Sequence, residues 1–492
     1  MSPFQKFIAN ISWTVLGKIV VQILLFVISI LLTRYLGKKS LGDYATLLVI
    51  PVFIRLLNSF GFETLINTKL PALNIRDSSG AEGRYLVGRL LAFRFMTTVV
   101  FCFLIYYCLP YYLYLIHRPE FIEFRWVLIF YFVAITFDSI LSTLFMTLLR
   151  FKALLKIETL GALLNLILLI IFIRLDYGIY GILYAYITSL AITGLLYLIL
   201  ARDQYLGSTQ KPECGDMRHL AWVSYGIAFL GFGLMTQSDV LMMSFFEVNS
   251  EDIGLYHLAT GLTGTMVFLL AGVAPMALSL FSEAFEKDGV EGLGSLYCKI
   301  VGLSSYLTVP IYVFCLFNAD ILISFIYGPV FKEASLALII FSAFSGIQTA
   351  LGNNFSVSTL YVIHKRNVAI RTTVEGSILN IGLNLFLIPA AGMLGAVTAT
   401  GTTMVYMILR QLKIISTEMK IAPVFPVIGQ CFLYCLLASI PTLILTWVHL
   451  GHLITNLILY LATLVTILIW VKPFSHLESI LNQSSSFPRV TK

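Results

Sequence analysis

Apolar runs long enough to cross a bilayer recur from one end of this chain to the other, and no other feature constrains its fold as strongly. A helix needs roughly 20 apolar residues to traverse a hydrocarbon core. Read with a window of that length, the sequence offers fourteen spans, at 11–32, 41–60, 85–108, 124–149, 157–173, 177–200, 219–246, 253–280, 297–317, 333–359, 368–388, 393–409, 424–447 and 452–471. Of its 492 residues 59% are apolar and only 12% charged, which excludes an ordinary soluble domain. The expectation is an all-α polytopic membrane protein. The first run is too long for the apolar core of a cleavable signal, so it is read as the first helix.

Lys and Arg sort by loop. With the N-terminus inside, alternate connections and the span ends beside them carry 21 inside and 7 outside, the other four of the 32 lying deeper within spans. Such an excess places both termini in the cytoplasm. The net charge of +7 then reflects loop bias, and no nucleic-acid partner is expected. Trp13, Trp126, Trp222, Trp447 and Trp470 lie close to proposed span ends, where an amphipathic indole is favoured. Cys431 and Cys435 share a helix face and read as packing residues.

An internal repeat divides the spans. Gly42-Asp43-Tyr44-Ala45 opens the second and Gly254-Leu255-Tyr256-His257 the eighth. Gly178-Ile179-Tyr180-Gly181 opens the sixth, and Gly392-Met393-Leu394-Gly395 the twelfth. Leu164-Asn165 and Leu379-Asn380 match at nearly the same offset. Six helices between copies give both halves one orientation, related by an axis along the membrane normal. The expected organisation is an N-lobe at 1–200 (helices 1–6), a C-lobe at 219–409 (helices 7–12), a helix pair at 424–471 and a cytoplasmic tail at 472–492. A substrate site is expected between the lobes.

Ionisable groups inside spans are the best functional leads, because each costs roughly 2.5–3.5 kcal/mol to insert. The first six spans hold Lys18, Arg55, Arg89 and Arg94 against the embedded acid Asp138; the second six hold Asp239 and Glu375. Thr14, Lys18, Gln22, Ser29 and Thr33 fall within one arc of helix one, a polar stripe that faces water or polar protein. Arg94 lies about 13 Å from the inner end of its span, deep for snorkelling. Its role is open between a structural pair with Asp138 and a substrate contact. Four cations at the inner side of one lobe would receive an anionic group such as a phosphate, whose oxygens guanidinium and ammonium groups satisfy. Substrate-binding candidates are therefore Lys18, Arg55, Arg89, Arg94 and Gln22. Asp138, Asp239 and Glu375 are candidates for ion coupling or structural pairing, with Arg371 one turn from Glu375.

The motifs Asn10-x-x-Trp13, Arg34-Tyr35-Leu36-Gly37 and Ser40-x-Gly42-Asp43-Tyr44-Ala45 resemble those of the Wzx-type polysaccharide flippases of the multidrug/oligosaccharidyl-lipid/polysaccharide superfamily. So do Gln237-Ser238-Asp239 and the stretch from Asn384 to Thr400. The resemblance implies a flippase, not an enzyme, in the bacterial inner membrane. It would move undecaprenyl-diphosphate-linked oligosaccharide units by alternating access for O-antigen, lipopolysaccharide or capsule-type synthesis. It implies no bound cofactor, with proton or sodium coupling left open, and a polysaccharide polymerase and chain-length regulator as partners. The alternatives are a MATE-type drug/cation antiporter, disfavoured by the embedded cations, and a membrane glycan polymerase or ligase. The last needs a large outside loop bearing catalytic groups, and none is read here.

Overall fold

A chain this apolar must satisfy its backbone polar groups internally, and helices do so segment by segment. The computed structural model describes residues 3–77, 79–211, 217–232, 236–271, 274–448 and 451–471, and among them there is no strand. In chain order the helices are α1 (Pro3–Leu57), α2 (Phe62–Arg76), α3 (Ala81–Leu115), α4 (Arg125–Thr147), α5 (Phe151–Arg174), α6 (Gly178–Leu200), α7 (Met217–Phe232) and α8 (Thr236–Phe245). They continue as α9 (Ser250–Ala271), α10 (Ala274–Ile326), α11 (Ala334–Ala350), α12 (Asn353–Val362), α13 (Arg366–Glu418), α14 (Val424–Trp447) and α15 (Leu453–Val471).

Ten stretches of the described residues are long and apolar enough to cross a membrane. Two of them hold a pair of crossings each. In α1 the helix breaks at Gly37 (φ 72°, ψ 179°), in α13 at Gly392 (φ 53°, ψ −127°). The second break is a reversal. A side chain on Gly395 would collide with the Leu387 carbonyl, yet residues eight apart lie about 12 Å apart along a straight helix. With α7–α8 and α9 supplying the other two, the fourteen expected crossings are accounted for. Seven lie in the chain up to α8 and seven from α9 onward, the last two being α14 and α15, in a multi-pass membrane protein.

The chain divides into two compact units, Met1–Gly254 and Leu255–Lys492. The core of the first is built by Leu65, Ile66, Leu70, Leu86, Leu141, Phe145 and Tyr197, drawn from α2, α3, α4 and α6. The core of the second includes Phe281, Tyr297, Val301, Phe355, Ile408, Cys431, Cys435 and Tyr460. There Cys431 and Cys435 are buried free thiols, and Tyr460 donates to the Pro310 carbonyl at 2.9 Å, tying α15 to α10. Buried amides and hydroxyls hold the arms of α13 together, as Asn384 donates to Asn380 at 2.8 Å and Asn380 to Thr400 at 3.3 Å. The outer surface is apolar, and Trp447 and Trp470 are 82% and 88% exposed at span ends. Trp13 and the tail at 472–492 lie outside the residues whose side chains are described.

One helix is absent from the sequence reading. The stretch after Phe60, expected as an inside loop, is α2. Phe62, Leu65, Ile66, Leu70 and Leu73 recur at helical spacing and are all buried. The motif glycines explain another feature. A side chain on Gly42 would run into the Ser250 carbonyl, and one on Gly254 into the Lys38 carbonyl, so the second arm of α1 and the start of α9 cross backbone to backbone.

That crossing predicts the effect of bulk. Gly42→Val or Gly254→Val should destabilise the protein by about 1–3 kcal/mol through overpacking. Gly261→Ala, where an added Cβ meets nothing within 4 Å, should leave the melting temperature of the detergent-solubilised protein unchanged or higher.

Candidate functional site

Between α1 and α2 the chain leaves helical geometry at Phe60 (φ 45°) and Gly61 (φ 72°). The end of a helix exposes carbonyls that need donors. Here Tyr225 of α7 donates to the Leu57 carbonyl at 3.2 Å, and an Arg94 Nη of α3 donates to the Asn58 carbonyl. Arg94 is completely buried. Its other Nη donates to Glu63 Oε1 at 2.8 Å, and its guanidinium lies 5.7 Å from the centroid of the Phe62 ring. Both Glu63 and Phe62 stand on the first turn of α2.

The network extends from Glu63. Ser139 of α4 donates to Glu63 Oε1 at 3.2 Å, and Arg55 donates to Ser139 Oγ at 3.0 Å. Asn58 Nδ2 donates to Thr98 Oγ1 at 3.0 Å, and Thr98 donates to the Arg94 carbonyl at 2.6 Å. Asp138, one residue before Ser139, accepts from Thr193 of α6 at 3.3 Å and lies within electrostatic reach of Arg55. Glu158 of α5 feels both Asp138 and Lys18. The register agrees, since a side chain on Gly17 would press on Leu155 of α5, one turn from Glu158.

A hydrogen-bonded polar path thus runs from Arg94 through Glu63 and Ser139 to Arg55, across α1, α2, α3 and α4, with Asp138, Glu158 and Lys18 in electrostatic reach of it. In and around it stand Lys18, Arg55 and Arg94 with Glu63, Asp138 and Glu158, three cations to three carboxylates. Two of those acids escaped the sequence reading. Glu63 sat in a stretch read as loop, and Glu158 stood at the edge of span five, which was the signal that it was embedded. Arg94 pairs with Glu63 and not with Asp138, because helical α2 brings an acid to it that a loop would have left outside.

Three candidates stand apart from this path. Gln22 is half-buried on α1; Arg89 is exposed on α3, with no hydrogen bond or ion pair among the described residues; and Asp239 is fully buried on α8. In the second unit Glu375 lies 3.5 Å from Arg410 and accepts from Tyr406 at 3.2 Å, so its charge partner is Arg410 in the other arm of α13, not Arg371.

A second polar cluster forms where the second arm of α1 and α9 both begin. Arg118 donates to Ser250 Oγ at 2.7 Å, Ser250 donates to Asp43 at 2.6 Å, and Arg118 lies 3.7 Å from the same carboxylate. In the sequence Asp43 and Ser250 look like ordinary helix-start residues, so nothing there announced their contact.

The Arg94–Glu63 pair predicts a double-mutant cycle. Arg94→Met should destabilise the protein by about 3–5 kcal/mol, because it leaves the Glu63 carboxylate without its cation. Adding Glu63→Leu should restore a large part of that loss, read as the melting temperature of the purified protein.

The comparisons with known proteins agree with this fold. The lipid II flippase MurJ in an inward closed conformation superposes with a TM-score of 0.72 at 15% identity, covering 94% of this chain and 99% of that one. An inward-facing MATE-family multidrug resistance transporter of the MOP superfamily gives 0.67 at 16% identity, covering 79% and 94%. Among curated proteins, the probable low-salt glycan biosynthesis flippase Agl15 of Haloferax volcanii is 24% identical over 229 residues, 46% of this chain and 47% of that protein. The probable flippase AglR of the same organism is 21% identical over 280 residues, 56% and 57% of the two chains. The chain spans about half the length of these curated relatives. The sequence pattern of the polysaccharide biosynthesis protein family matches residues 31–336, well over half of the chain, and the chain belongs to that family.

Proposed function

We propose that this protein is a flippase for lipid-linked oligosaccharides, moving undecaprenyl-diphosphate-linked repeat units across the bacterial inner membrane by alternating access, with both termini cytoplasmic. One observation carries the reading: the hydrogen-bonded path that joins Arg55 through Ser139 and Glu63 to the buried Arg94, with Lys18 in electrostatic reach of Glu158. In a low-dielectric setting such cations are held charged by their carboxylate partners. A diphosphate can replace those carboxylates one for one, so the site is occupied by charge of the right sign in both its empty and loaded forms. Arg55, Lys18 and Gln22 are the proposed headgroup contacts. Arg94, fully enclosed, positions Glu63 and, through it, Ser139 and Arg55. Surface glycan assembly of the O-antigen or capsule type, with a polymerase and a chain-length regulator downstream, is the proposed setting.

The three embedded carboxylates favour a second reading. Glu63, Asp138 and Glu158 would suit a cationic substrate or a coupling ion, as in a drug/cation antiporter, and the likeness in fold to a MATE transporter accords with it. Asp138, with Glu158 beside it, is the proposed coupling site in either case, and Asp239 and Glu375 are further candidates.

The test is complementation of a host lacking this chain. Arg55→Ala and Lys18→Ala should each cut surface glycan export by about tenfold or more, the worth of one charge-assisted phosphate contact, while membrane levels of the protein stay normal. Normal export in both, with increased susceptibility to cationic dyes, would replace the flippase reading with the antiporter.

A further inference from the structure

Arg89 faces a cavity that the polar path does not include. The cavity, about 330 Å³, lies among α2, α3 and α7, and its walls include Phe60, Phe62, Tyr85, Phe93 and Trp222. The rings fix one another edge to face: Phe62 and Phe93 at 5.5 Å and 81°, Phe60 and Phe93 at 6.2 Å and 86°, Phe60 and Trp222 at 6.5 Å and 90°. Arg89 is the sole charged side chain among the lining residues.

We propose that this groove is the entry site for the polyprenyl phosphate end of the transported lipid, with Arg89 on the phosphate before it passes to Arg55 and Lys18, and the first isoprene units along the aromatic wall. The proposal rests on the flippase reading and extends it to the lipid part of the substrate. An exposed guanidinium beside a continuous apolar wall is complementary to an anion that carries a hydrocarbon chain. The cavity is at the small end of ligand pockets, roughly 300–1,000 Å³, so it takes the headgroup-proximal part of one chain. A glycerophospholipid would bring two chains and ester carbonyls that need donors, whereas a polyprenyl phosphate has one branched chain that packs against ring faces. Position supports the same occupant. Phe62 lines the groove and also carries the Arg94 guanidinium over its ring, so a phosphate at Arg89 lies one aromatic ring away from the Arg94–Glu63 pair. α7 closes the groove by contact with the break in the chain, where a side chain on Gly61 would collide with the Ala221 carbonyl.

The test is photolabelling of the full-length protein in phosphatidylcholine nanodiscs with undecaprenyl phosphate bearing a diazirine near its phosphate. The label should map to α3 and α7, around Phe93 and Trp222. Arg89→Gln, at an exposed position that should not disturb folding, should reduce labelling about tenfold, the worth of one charge-assisted contact. A large excess of phosphatidylglycerol should leave the labelling intact. Labelling elsewhere, labelling indifferent to Arg89→Gln, or displacement by phosphatidylglycerol as an ordinary anionic lipid would each overturn the groove assignment. If it falls while Arg55→Ala still abolishes glycan export, the flippase reading stands without it. Normal export in Arg55→Ala would sink that reading whatever the label does.

Discussion

A full charge buried in a membrane protein must be neutralised where it lies, and the first unit is arranged around that requirement at Arg94. Its guanidinium has no exposure, so each of its contacts must come from protein. α2 supplies the carboxylate of Glu63, and the break before α2 supplies the Asn58 carbonyl. Straightening that break would pair the carbonyl within a helix and carry Glu63 away. The non-helical Phe60 and Gly61 are therefore a condition for burying Arg94, and the positive φ at Phe60 is strain that the ion pair holds in place.

The same requirement separates what could be read in the sequence from what could not. Fourteen crossings were legible because membrane length and loop charge are properties of single segments. The corners at Gly37 and Gly392 fall in stretches already marked by the family motif and by the repeat. The partner of Arg94 was not legible. Asp138, on the next span, is the nearest acid by topology, but partnership depends on which side chain a helix turns toward the guanidinium. α2 is only 15 residues long and carries Glu63, Lys69 and Arg76, so it failed the test for a span and its helical spacing of apolar residues passed unnoticed. Glu158 was missed for a related reason: a charge at the first turn of a span looks like a loop residue until a cation on a neighbouring helix is found beside it.

The repeat has a physical counterpart at Gly42 and Gly254. These residues matched in sequence at a fixed offset, and in space each lies where the other's helix passes, leaving no room for a Cβ. Close passage brings the two helix starts together, and the polar side chains near them, Asp43 and Ser250, then meet and are joined by Arg118. In a bilayer, where apolar side chains gain little from one another over lipid, small residues at a crossing with a hydrogen-bonded cluster beside it are an effective way to fix two helices.

Charge balance bears on the transport proposed above. Lys18, Arg55 and Arg94 lie among Glu63, Asp138 and Glu158, so each cation has a carboxylate within electrostatic reach. A receptor of bare cations would bind a diphosphate tightly and release it slowly, since a ligand must leave as readily as it arrives for turnover to continue. Internal carboxylates change that balance, because on departure of the anion each cation returns to a partner already within reach. Under the proposed function Arg55 would make such an exchange, as it is joined to Glu63 through Ser139 and lies in electrostatic reach of Asp138. Arg94 would take the opposite role: bound directly to Glu63 and closed off from solvent, it would keep the carboxylate fixed while Arg55 changed partners.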